Sequence, residues 1–69
     1  MPPESESVYT QAQRHVSRGR EIVSRQRELI AEIRAGQRDA STAEDLLQRF
    51  ENSLAIFESD LADIERRQS

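Results

Sequence analysis

From Tyr9 onward the apolar and small positions recur at alternating intervals of three and four, as Tyr9, Ala12, Val16, Gly19, Val23, Gln26, Ile30 and Ile33. That alternation is the a/d seam of a coiled coil, with Tyr9, Val16, Val23 and Ile30 at the a positions. It stops after Ile33 and resumes as Ala43, Leu47, Phe50, Leu54, Phe57, Leu61 and Ile64, now with leucine at a and mostly Phe or Ile at d. The pattern predicts helix over about 7–35, a turn at 36–41 and helix over about 42–67. Residues 1–6 are too polar to pack and read as a flexible lead-in, with Ser5 or Ser7 as the cap of the first helix. Helices of roughly 40 Å in so short a chain can bury their stripes only side by side. The expected fold class is therefore all-α, an antiparallel two-helix hairpin resembling a coiled coil.

The break itself carries turn chemistry. Gly36 suits the position just past a helix, where a left-handed backbone is cheap only for glycine. Arg34 and Arg38 complement a helix C-terminus, and Asp45 complements the N-terminus of the next helix. Ser41, Thr42, Ala43 and Glu44 read as a capping box, with the Ser41 hydroxyl and the Glu44 carboxylate serving early backbone N–H groups. The same contacts could form between two chains if the turn straightened into a domain swap, which Gly36 and the capping signals oppose.

Pairing residues whose numbers add to 80 sets Ile33 against Leu47, Ile30 against Phe50, Gln26 against Leu54, Val23 against Phe57, Gly19 against Leu61 and Val16 against Ile64. On one flank, helix one then offers Arg20, Arg27 and Arg34 to Glu58, Glu51 and Glu44 of helix two. Nothing in the apolar pattern required those signs to agree. Exposed pairs contribute only about 0.2–1 kcal/mol each, so they choose orientation more than they hold the fold.

The opposite flank does not balance. Helix one places Val8, His15, Ile22 and Leu29 there, and helix two places Leu46, Ser53, Asp60 and Arg67. Burying four apolar side chains would contribute roughly 1.5–3 kcal/mol each, which is large for so small a core. Val8, His15, Ile22, Leu29 and Leu46 are therefore the expected self-association interface of a homodimer, two hairpins making a four-helix bundle. His15 reads as a packed interface histidine, with a metal or pH-switch role as the sharper alternative. Gly19 reads as a point of close helix approach, with a hinge as its alternative. Gln26 is a polar residue in the seam, of the kind that fixes register or oligomer state, with a ligand contact as its alternative. On the outer side of helix two, Asn52, Ala55, Ile56, Ser59 and Ala62 form a lane of small residues that could receive another protein's helix, although such residues are also ordinary helix surface.

Composition narrows the chemistry. The 69 residues contain no cysteine and one histidine, so disulfides and thiolate metal sites are excluded, and no cofactor or metal is expected. No glycine-rich phosphate loop or nucleophile elbow occurs, and a slender bundle offers little concavity, so the expected protein is not an enzyme and has no small-molecule substrate. No apolar run approaches the ~20 residues of a membrane span and the start is not a signal peptide, which points to the cytoplasm and to no membrane partner. The net charge of −3 is unevenly spread, since residues 1–38 carry seven Arg against five Glu and residues 39–69 carry three Arg against eight acids. Every basic residue is arginine, which fits either phosphate recognition or codon bias in a GC-rich genome. Arg14, Arg18 and Arg25 on the outer side of helix one are the candidate nucleic-acid contacts, RNA or DNA. Glu21 and Glu28 interrupt them at helical spacing, and the acidic balance opposes a polyanion.

His15 with Gly19, Gln26 with Ile30, Gly36 before Thr42 and Ala43, then Leu46, Leu47, Phe50, Glu51 and Leu54 give the chain a profile over residues 15–54. In these residues it resembles a loose group of short, uncharacterised alphaproteobacterial helical-hairpin proteins. The resemblance implies a bacterial origin and the hairpin fold, and it brings no activity with it. The expected function is that of a non-enzymatic, self-associating protein-interaction or regulatory module, with a nucleic-acid-binding hairpin dimer as the alternative.

Overall fold

The computed structural model describes residues 7–68, so the expected lead-in at 1–6 and the candidate cap Ser5 lie outside the described residues. Two α-helices of equal length make up the fold, α1 over Val8–Ala35 and α2 over Ser41–Gln68, packed antiparallel along their length. Each boundary falls within a residue of its sequence expectation, and the connection is 36–40 in place of 36–41. Ser7 is the N-cap of α1, its hydroxyl accepting the Thr10 N–H at 3.1 Å.

The turn is built differently from the expectation. Gly36 keeps an ordinary backbone, φ −82° and ψ 5°, and the left-handed residue is Gln37 at φ 58°. The Gln37 N–H donates to the Arg34 carbonyl at 2.9 Å and the Arg38 N–H to the Ile33 carbonyl at 3.0 Å. Those two bonds are the signature of a Schellman motif centred one residue later than the glycine. A side chain in left-handed conformation costs roughly 1–2 kcal/mol, and glycine recovers only part of this because it loses more chain entropy on folding. Gln37→Gly is therefore expected to raise the unfolding free energy by about 0.5–1 kcal/mol, read as a higher urea midpoint at unchanged slope.

The start of α2 is a second correction. Ala40, buried, occupies the N-cap position, its carbonyl accepting the Glu44 N–H at 2.8 Å. Asp39 replaces the capping box, accepting both the Ser41 N–H and the Ser41 hydroxyl at 3.0 Å. Glu44 is drawn across to Arg34 instead of back onto its own helix. The Ser41 N–H and then its hydroxyl hold the Asp39 carboxyl below its ordinary pKa. A lowered folded-state value means that this stabilisation is present above the unfolded value near 4 and fades as pH falls through the folded one. The stability gap between wild type and Asp39→Ala should accordingly hold above about pH 4 and narrow as the pH falls below it, in paired urea titrations.

The core is lopsided. Val16, Val23, Gln26 and Ile30 of α1 are buried, whereas α2 has no buried residue, its Leu47, Phe50, Leu54, Phe57, Leu61 and Ile64 all being half-buried. The molecule is a slab of 48 × 27 × 14 Å, little thicker than one helix with its side chains. Domains ordinarily close a core between two layers, and this one presents a single layer.

Core register also departs from expectation. A Cβ added to Gly19 would lie 3.0 Å from Leu54 Cδ1, so Gly19 packs on Leu54; the expected Leu61 lies one heptad further from the turn. Gln26 donates from Nε2 to the Ala43 carbonyl at 2.9 Å, where the sequence pattern predicts Leu54 to face it, and the Phe57 ring stacks on His15. The close-approach reading of Gly19 fits this geometry, and Gln26 is buried in the seam with its side-chain amide bonded to α2.

Candidate self-association face

The two flanks of the hairpin differ in chemistry. On one, Arg20 pairs with Glu58 at 3.2 Å, Arg27 with Glu51 at 2.7 Å, and Arg34 with Glu44. All six side chains remain substantially solvated, so the ladder orients the helices and contributes little to stability. Both helices point their long side chains toward their own N-termini, so antiparallel neighbours lean toward one another.

The other flank carries the candidate interface. Ile22, Leu29 and Leu46 are 39%, 44% and 40% exposed, and Val8 is 68% exposed at the open end. These fractions leave roughly half of each side chain still to be buried. His15 belongs to the same flank and is exposed, yet it has a partner within the chain, its ring lying 5.3 Å from that of Phe57 at 28°. Between them these rings help to form a shallow groove of about 240 Å³ at the open end, which Val8, Asp60 and Ile64 also line.

Among the described residues Ile56, 61% exposed, is the remaining large apolar residue on the surface. It follows Leu46 by ten residues, so it sits at the outer rim of the same flank. The rest of the small-residue lane, Asn52, Ala55, Ser59 and Ala62, is exposed, and Asn52 accepts a side-chain bond from Gln48 at 3.1 Å. The sequence pattern alone assigns Ile56 to that separate lane; its ten-residue spacing from Leu46 is the available signal for joining it to the interface.

Arg14, Arg18 and Arg25 are exposed along α1. Among the described residues no group of three or more His, Cys, Asp or Glu side chains could hold a metal ion, and no helix is long and apolar enough to cross a membrane. The class that fold and surface define is an all-α helical hairpin with one ion-paired and one apolar flank. No protein-family model, curated protein or solved structure matches the chain.

Proposed function

We propose that this protein is a non-enzymatic, self-associating helical module, in which two hairpins join through the apolar flank of α1 into a four-helix bundle that serves protein interaction or regulation. The observation that carries the reading is the half-exposed series Ile22, Leu29 and Leu46 beside an α2 without a buried residue. A second layer on that flank would complete the burial of Phe50 and Phe57 as well, enlarging a core that is small for one hairpin on its own. Cytoplasmic residence and a bacterial source accompany this reading.

Light scattering after size-exclusion chromatography tests it. The expected mass is twice the 7.9 kDa of the chain, and a well-folded monomer at micromolar concentration overturns the proposal. RNA or DNA binding through Arg14, Arg18 and Arg25 is the weaker reading, because Glu21 and Glu28 share that face of α1. It demands an affinity that falls steeply with added salt, and absence of binding at low salt removes it.

A further inference from the structure

Resting on the association proposed above, we infer that the second copy packs with its turn at the same end of the bundle, α1 of each chain lying on α2 of the other and the two-fold axis running parallel to the helices. Two arrangements keep neighbouring helices antiparallel throughout, one with the axis parallel to the helices and one with it perpendicular. The distribution of apolar residues along the flank separates them.

Counted from the helix ends at Ala35 and Ser41, Ile22 stands within about two residues of the level of Ile56, and Leu29 within about one of Leu46. Ile22 and Ile56 lie at the middle of the hairpin and Leu29 and Leu46 between it and the turn, while Val8 is the exposed apolar residue of this flank at the open end. Toward the open end the same flank carries His15, Asp60 and, at the rim, Asp63. A perpendicular axis exchanges the two ends. It would lay Leu29 over the level of the partner's His15 and Leu46 over that of the partner's Asp63, setting a charged carboxylate against leucine, where desolvation is costly. Sliding the chains toward their turns would relieve this only by uncovering the open ends.

A parallel axis preserves level. Ile22 then meets the partner's Ile56 and Leu29 meets the partner's Leu46, each pair completing a four-residue apolar layer. The outer rim agrees. Arg18 comes to the partner's Asp63, which also holds Arg66 of its own helix, and Glu32 comes to the partner's Arg49. The perpendicular axis instead crowds Arg18 and Arg25 of one chain against the same arginines of the other.

The chain has no cysteine, so single spin labels can be placed on the full protein at Arg38→Cys, in the turn, and at Gln13→Cys, near the open end on the ion-paired flank. Light scattering on the labelled samples establishes whether they are dimers before distances are read by pulsed electron resonance. With helix axes 8–10 Å apart in a packed bundle, both label pairs are expected at about 15–30 Å. A dimer in which the Arg38 distance approaches the 48 Å length of the hairpin overturns the same-end geometry while leaving self-association intact. A short Arg38 distance with a long Gln13 distance identifies a domain swap and overturns it equally. A monomer overturns the association itself.

Discussion

Ile22→Glu combined with Leu29→Glu is expected to leave the hairpin monomeric. Each side chain is already about half-covered within one chain, so completing its burial contributes about 0.75–1.5 kcal/mol, half of the full value. Four such side chains meet in a dimer, which sums to about 3–6 kcal/mol and weakens association by roughly two to four orders of magnitude. Carboxylates placed in the interface add a desolvation penalty in the same direction. Sedimentation or light scattering reads the result directly. Glutamates at Ser24 and Ala31, also exposed on α1 but toward its ion-paired side, should leave the mass unchanged. Retention of the dimer by the Ile22 and Leu29 variant would remove this flank from the interface.

The second large effect belongs to Gly19. Alanine there places a Cβ 3.0 Å from Leu54 Cδ1, the movable end of a flexible side chain. The crowding is offset by the roughly 1 kcal/mol that alanine gains over glycine in a helix interior. Gly19→Ala is therefore expected within about 1 kcal/mol of wild type. Gly19→Phe must instead push the helices apart, at a cost of about 2–3 kcal/mol, or a fall in melting temperature of roughly 10–20 °C for a domain of this size. Leu54→Ala should recover part of that loss and Leu61→Ala should not. A hinge at Gly19 predicts otherwise, since alanine and phenylalanine would then be similarly harmful.

The rescue by Leu54 marks where sequence stops being sufficient. The fold was legible because two uninterrupted heptad patterns separated by turn residues have few ways to pack, and the pairing of Arg20, Arg27 and Arg34 with Glu58, Glu51 and Glu44 was legible because long charged side chains tolerate axial offset. The core register was not. A heptad pattern slid by seven residues presents the same residue classes to its partner, so Gly19 could face Leu61 or Leu54 equally well on pattern alone. The five-residue connection 36–40 draws the contact toward the turn. The turn misled in a related way, because Gly36 and Ser41 each advertise a role that the adjoining residues, Gln37 and Asp39, perform. Composition marks a turn to within a residue, while backbone closure decides which residue bears the unusual conformation.

For the candidate interface, sequence disclosed the excess of apolar residues on one flank, and helical spacing sets the exposed Ile56 at its rim. Exposure alone added the information that α2 is nowhere fully buried, which no periodicity could reveal, since periodicity reports which side faces inward and not how completely it is covered.

The ladder of Arg and Glu also bears on stoichiometry. An assembly grows without limit only when each added subunit presents a fresh adhesive surface, and the ion-paired flank is well solvated and sheds a third hairpin as readily as it accepts water. A protein adhesive on one side alone saturates at a pair. In the proposed dimer the solvated flank would act as a terminator, so that assembly stops at a pair and does not extend into filaments at high concentration.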